Sequence, residues 1–558
     1  MAETNISIVK SIGKLNDILV LDRKDITVIY MFAILAGLVQ LSLPLGIQSI
    51  ISFVMAGSIS TSIIVLIVMV VFGVFINGLL QIRQLQIIEK VKQKIFLRYS
   101  LEFGDRLPKL NIEKLDKQYL PEMVNRYFET ISLQKGLDKL LIDLPAATIQ
   151  VLLGLILLAF YHPVFIAFGL LLLFIVLIII RVTSPGGLST ALLASKYKYG
   201  VAGWLQELAR TVKSFKYTKG TSLHIQKTDE LVSKYLDART NHFKILLTQF
   251  WSLVSFKIII TAAMLTVGAY LLVNQQINIG QFIAADIVII AIIASIEKLI
   301  INLDSLYEAL VSVEKLSIIT EAEKEQSGNL TLPSKTEGVD IQFINVSFAY
   351  SNKIQVLNDI SFLIEQGQIL HLKGVSGAGK STVLRLLTGA FTDYTGKILI
   401  DGIPLGNYDV QSLRQLTGIL LGSQDIFYGT ILQNITMGNE AINIEQIARM
   451  AKLVGLNSFI ESSKGGYDSI LLPVGNKLSS NVRKNILLIR ALLGEQRLLL
   501  LENPFNHLEE PFRNNVIQYI KEKKTATVLI ASEDEQLSSY CDKVLMLNQS
   551  GAIVKESE

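Results

Sequence analysis

Three stretches of this chain are starved of charge, and segments rich in charge join them. Residues 26–82 contain no Asp, Glu, Lys or Arg. A helix that crosses a bilayer needs about 20 apolar residues, so this run holds two, with a break at Ala56-Gly57-Ser58. Residues 144–180 are a second uncharged run. Tyr161-His162-Pro163 interrupts it, because proline stops a helix and aromatics suit an interface. A third pair covers 246–273 and 277–303, with Asn274-Gln275-Gln276 between them. The pattern predicts six spans arranged as three hairpins. The first 25 residues are polar and carry no cleavage-site pattern, so no signal peptide is expected. With the first span starting at Ile26, an N-terminal peptidase domain is not expected either.

Lysine and arginine set the orientation. The breaks carry neither, whereas Arg83, Lys90, Lys92, Arg98, Lys213 and Lys216 crowd the segments 83–142 and 182–245. Both long segments, and both termini, are therefore expected in the cytoplasm. Helical periodicity in "LQELARTVKSF" predicts that these segments are long helices extending the spans. Lys257, Asp286 and Glu297 stand inside the spans. Intramembrane charges are usually paired or line a cavity. Lys257 and Glu297 have similar depths in neighbouring helices and suit a pair, although Lys257 can also snorkel and Glu297-Lys298 can mark a wet helix end. Asp286 fits either a substrate path or a wet interface.

Past Ser317 the pattern changes. "EAEKEQSGNLTLPSKTEG" is polar and reads as a linker, and "VDIQFINVSFAY" then alternates as a strand does. "HLKGVSGAGKSTVLRLLTG" follows, a strand, a loop and a helix. Gly374, Gly379, Lys380 and Ser381 have the spacing of a phosphate-binding loop, with Ser376, Gly377 and Ala378 between the glycines. Such glycines let backbone N–H groups wrap phosphates, and the helix N-terminus adds a favourable dipole. Lys380 is placed to reach outer phosphates, and Ser381, with Thr382 beside it, offers a hydroxyl to Mg²⁺. ATP and Mg²⁺ are the implied cofactors. The expected division is 1–25 as an N-terminal segment, 26–320 as an all-α six-helix transmembrane domain, 321–338 as a linker, and 339–558 as an α/β P-loop nucleotide-binding domain.

Bulk composition agrees. Half of the 558 residues are hydrophobic and 18% are charged, a membrane-protein balance. One cysteine excludes an internal disulfide framework. A net charge of +4 concentrated in particular loops is topology bias and does not point to nucleic acid.

Six spans with long polar helices fused to this domain resemble an ATP-binding-cassette (ABC) exporter half-transporter, over essentially the whole chain. The resemblance places Tyr350 against adenine, unless that ring merely packs at a strand end. It places Gln424, in "GSQDIFYGTILQNI", at Mg²⁺ and the contact with the membrane domain. "YLPEMVNRYFETI" and "LQELARTVKSFKYTKG" resemble the two coupling loops. It implies head-to-tail dimers, each ATP lying between one phosphate loop and the partner's signature string.

The departures concern chemistry. "LLLLENPF" puts Glu502 where the family's Mg²⁺-orienting aspartate stands, and Asn503 where its general base stands. An amide cannot accept the proton. The signature reads "LSSNVRK": Ser479 is kept, Ser480 and Asn481 replace both glycines, and Val482 replaces the glutamine. Ser532 occupies the place of the switch histidine, and neither His371 nor His507 aligns with it. Binding is expected to persist while hydrolysis is slow or absent. Two readings follow: an exporter subunit in a homodimer or heterodimer with another half-transporter, with a periplasmic adaptor as a further partner, or an ATP-responsive membrane scaffold or regulator that does not cycle. "LPLGIQSI" loosely resembles bacterial peptide and protein exporters, and the half-transporter form suggests a bacterial inner membrane.

Overall fold

The computed structural model describes residues 8–55, 61–111, 113, 119–350, 354–475, 477–523 and 525–557. The expected break at Ala56-Gly57-Ser58 lies outside the described residues. The chain forms two compact units, one of residues 1–109 and 118–322, the other of 110–117 and 323–558.

The first unit is helical. Among the described residues, six helical stretches are long and apolar enough to cross a membrane: Arg23–Met55, Thr61–Lys109, Leu120–Tyr161, Val164–Arg210, Leu223–Val273 and Ile279–Thr320. Helix Val164–Arg210 runs unbroken through 47 residues and Leu223–Val273 through 51. Each is far longer than a bilayer requires, so the polar segments do continue the apolar ones as single helices. The expected breaks at His162-Pro163 and Asn274–Gln276 are both present. After the second, Asn278 caps the next helix through a reciprocal capping box with Gln281. The most apolar part of Thr61–Lys109 is unburied, with Val68, Met69 and Phe72 facing outward, as a lipid-facing helix requires. Lys257 and Glu297 pair at 2.6 Å. The residues before Arg23 are more than a polar tail. Ile8–Val20 is a helix, and it docks through Ser11 and Lys14, both bonded to Glu314.

The second unit carries the strands β1 (Ile341–Ala349), β2 (Gln355–Ile364), β3 (Ile369–Gly374), β4 (Tyr394–Ile400), β5 (Ile403–Pro404), β6 (Thr417–Leu420), β7 (Gly429–Thr430), β8 (Ile470–Leu471), β9 (Leu498–Glu502), β10 (Thr527–Ala531), β11 (Lys543–Leu547) and β12 (Ile553–Ser557). An antiparallel sheet has the order β2-β1-β4-β5, and a six-stranded sheet has the order β12-β11-β3-β10-β9-β6. In the second sheet β11, β3, β10, β9 and β6 are parallel. The four leucines of β9 are fully buried, Leu498 and Leu500 in one core, Leu499 and Leu501 in the other. A parallel strand covered on both faces reads as such an unbroken apolar run.

The polar stretch before β1 is strapped down. Arg414 forks onto Glu325, and the Leu332 N–H donates to the Ser412 hydroxyl. Arg497, 1% exposed, donates to the carbonyls of Glu337 and Gly338 and pairs with Asp401 at 2.9 Å. Removing one partner of a buried ion pair costs several kcal/mol because the other charge stays behind. Arg497→Ala should therefore destabilise the second unit by about 3 kcal/mol. Thermal unfolding of the full chain in detergent checks this, and a lowered midpoint is expected.

Candidate functional site

The site is built where β3, β10 and β9 end side by side. Ala531 pairs with Leu372 on one side and with Glu502 on the other. Parallel sheets bind ligands at these carboxyl ends. The loop after β3 leads into helix Lys380–Leu387, whose N-cap is Gly379 at φ +90° with no side-chain cap. The Thr382 and Val383 N–H groups donate to the Gly379 carbonyl, so the Lys380 and Ser381 N–H groups are the first-turn donors placed for an anion. Gly374 needs its lack of a side chain, because a Cβ there would stand 2.5 Å from the Leu547 carbonyl oxygen. Gly377, at φ +85°, has nothing within 4 Å of its Cβ position, which leaves the cradle open on that side.

Lys380 is 8% exposed and curls over its own loop. Its ammonium donates to the carbonyls of Gly374 (2.5 Å) and Val375 (2.9 Å) and lies 3.4 Å from Glu533 Oε1. Ser381 Oγ donates to Glu502 Oε1 at 2.5 Å, and Glu502 Oε2 accepts from the Gly422 N–H at 2.8 Å. The expected Mg²⁺ pair is thus assembled as a hydroxyl and a carboxylate. Two hard oxygens beside a phosphate cradle fit Mg²⁺, which commonly takes one or two protein oxygens and completes its shell with phosphate and water. Ser381 and Glu502 would hold it. The Gln424 side-chain oxygen accepts from the Leu421 N–H of its own loop at 3.1 Å.

Asn503 follows Glu502 directly, in left-handed backbone at φ +46°, a conformation asparagine tolerates better than most residues. Its N–H donates to the Ala531 carbonyl at 2.9 Å. Ser532 is the next residue of the neighbouring strand, 1% exposed. Its hydroxyl accepts from the Asp534 N–H, so it fixes the turn after β10. His371, fully buried on β3, donates or accepts at both ring nitrogens, to Ser538 Oγ (3.0 Å) and to the Ser532 carbonyl (3.2 Å). This histidine underpins the switch position but is buried in the sheet, away from the open cradle. The turn also carries Glu533, which residue-type matching alone gave no reason to single out.

Tyr350 packs edge-on against Phe348 and Phe391, with ring centroids 5.0 and 5.8 Å away. Its hydroxyl meets Thr382 Oγ1 at 3.2 Å and accepts from Arg385. The ring is tied to the helix of the phosphate loop at the same end of the cassette. The altered signature lies elsewhere in this unit. Ser479 caps helix Ser480–Leu492 by accepting from the Val482 N–H at 3.2 Å, which leaves its hydroxyl proton to donate. Ser479, Ser480 and Asn481 are all exposed. Lys484, in the same helix, is in close contact with His507.

Residues 357–506 match the family model described as ABC transporter. The chain is 30% identical over 286 residues to the alpha-hemolysin translocation ATP-binding protein HlyB of Escherichia coli O157:H7, a match covering 51% of this chain and 40% of HlyB. It is 29% identical over 297 residues to the Toxin RTX-I translocation ATP-binding protein of Actinobacillus pleuropneumoniae, covering 53% of this chain and 42% of that protein. The matches thus span about two fifths of these relatives. A solved structure of a bacterial Atm1-family ABC exporter with ATP bound superimposes with a TM-score of 0.86 at 18% identity, covering 96% of this chain and 95% of that one. Residues 357–506 thus match the ABC transporter model, and the chain as a whole has the fold of that exporter, with six helical stretches long and apolar enough to cross a membrane among the described residues.

Two predictions follow from this geometry. Lys380→Ala should weaken Mg-ATP binding at least ten-fold, read by equilibrium nucleotide binding to the full chain in lipid. Burial lowers the pKa of His371 from its ordinary 6.5. The unfolded chain then binds a proton that the folded one refuses, so this contribution is complete above about pH 6.5 and shrinks as pH falls toward the lowered value. Unfolding midpoints should drop on the acid side of pH 6.5, and His371→Gln should flatten that dependence.

Proposed function

We propose that this chain is an exporter half-transporter whose cassette binds Mg-ATP between head-to-tail partners and hydrolyses it slowly. One observation carries the reading. The phosphate loop and its Ser381–Glu502 pair are assembled, while the position after the acid is Asn503. Binding needs the loop, the lysine and a Mg²⁺-competent pair of oxygens. Hydrolysis needs a proton acceptor for the attacking water as well, and losing one typically costs about 10²–10⁴ in rate. Ser532 removes the imidazole expected near the γ-phosphate, and its hydroxyl already serves the Asp534 N–H. The altered signature weakens, but does not remove, the contact made to the partner's ATP, because Ser479 keeps a free O–H. Closure on ATP then drives or gates passage through the membrane domain.

In a homodimer both ATP sites inherit these changes. In a heterodimer with an intact half-transporter, one site lacks a base and the other combines the partner's base with "LSSN". HlyB and the RTX-I protein are translocation ATP-binding proteins by name, which favours export of a peptide or protein, with a periplasmic adaptor as a further partner. A bacterial inner membrane, with the cassette and both termini in the cytoplasm, fits the lysine and arginine placement.

The second reading is a regulator or scaffold that responds to ATP without cycling. Asn503, Ser532 and "LSSN" together favour it, since each touches a different step of turnover. It predicts nucleotide-dependent dimerisation with no phosphate release.

Asn503→Glu restores the carboxylate. If the remaining parts of the site are competent, ATPase activity of the purified chain in lipid should rise by about 10²-fold or more. No change would place the main lesion in the signature or the switch and favour the regulator.

A further inference from the structure

The turn after β10 presents three consecutive acids, and each goes to a different cation. Asp534 holds Arg513 at 2.6 Å and accepts from the Gln536 N–H. Glu535 holds Lys373 at 2.8 Å. Among the described residues Glu533 pairs with the phosphate-loop lysine, Oε1 to Nζ at 3.4 Å, and its side chain is 59% exposed. The Ser532 hydroxyl accepts from the Asp534 N–H and so fixes the turn that carries Glu533. Three other acid–base groups of this unit have partners of their own. Glu502 is bonded to Ser381 and Gly422, His371 is buried under the Ser532 carbonyl, and His507 is in close contact with Lys484.

We propose that Glu533 is the general base of this cassette, replacing the carboxylate missing at Asn503. The inference rests on the reading that the cassette binds Mg-ATP and turns it over slowly. Lys380 marks the outer-phosphate end of the cradle, and Glu533 is the uncommitted carboxylate that reaches it. A phosphate group arriving on Lys380 displaces the carboxylate by one layer, into reach of a water beside the terminal phosphorus. There Glu533 takes a proton from the water. The water oxygen bonds to the γ-phosphorus, the bond to the β–γ bridging oxygen breaks, and its electron pair leaves with ADP. The proton on Glu533 passes to solvent as inorganic phosphate departs. A base that starts as a partner of Lys380 is held less firmly than one at the end of β9, which agrees with slow turnover.

The test measures equilibrium Mg-ATP binding and steady-state phosphate release on the full chain in lipid. It compares wild type, Lys380→Ala, Glu533→Gln, Asn503→Glu and the double variant Glu533→Gln/Asn503→Glu. Glu533→Gln is expected to keep Mg-ATP binding and to lose turnover down to the Lys380→Ala level. The double variant is expected to recover turnover, because a carboxylate at 503 does the same work. A merely structural role for Glu533, steadying Lys380, gives no such recovery. Wild-type turnover in Glu533→Gln overturns the proposal, whether Mg-ATP binding is unchanged or tightened; tightening would make Glu533 a competitor of phosphate. Loss of turnover that is not recovered, when Asn503→Glu alone raises the rate, also overturns it. So does a wild type that binds Mg-ATP but releases no phosphate above the Lys380→Ala level. A wild type that does not bind Mg-ATP fails the underlying reading instead.

Discussion

The nucleotide chemistry of this chain hangs on one buried strand. Leu498–Leu501 send alternate side chains into the two cores that flank the parallel sheet, and a one-residue slip would exchange them. That register delivers Glu502 to Ser381 on one side and to the Gly422 N–H on the other. It also fixes the two positions that follow. Asn503 turns through a left-handed backbone, and Ser532 follows Ala531, the partner of Glu502 at the end of β10. The apolar packing is therefore what sets which side chains can meet an outer phosphate, and it is intact even though two of those side chains are unusual.

Binding and bond cleavage place different demands on such a site. Binding draws on many groups at once, chiefly backbone N–H groups, a lysine and a Mg²⁺ pair, so it survives the loss of any peripheral one. Cleavage draws on a single proton acceptor at a single place. Asn503 falls on the second set, whereas the phosphate loop, its lysine and the Ser381–Glu502 pair of the first set are kept. On the proposed reading such a cassette would store the free energy of binding as closure and release it slowly, a property useful either to a transporter paced by its partner or to a sensor of ATP.

Much of the architecture was legible from residue patterns. Uncharged runs located the spans because a bilayer leaves no other home for 20 apolar residues, and proline or polar breaks located most of the hairpin ends. The phosphate loop was legible because its glycines answer a backbone need that no other residue meets. What escaped notice depended on long-range contacts. Nothing local marks Ile8–Val20 as a docked helix, since its anchor, Glu314, lies about 300 positions away in sequence. The polar stretch before β1 reads as a free linker, yet Arg497 and Arg414 tie it down from far along the chain. Glu533 was hidden in "SEDE", where only the fold decides which acid meets Lys380.

The central claim is that assembly of the phosphate site and loss of its base are separable. The direct measurement is a single-turnover experiment on the purified full chain in lipid: bound Mg-ATP and released phosphate followed together in one sample. The account predicts saturable Mg-ATP binding that persists long after mixing, with phosphate appearing far more slowly than nucleotide binds. Phosphate release that keeps pace with binding would contradict it.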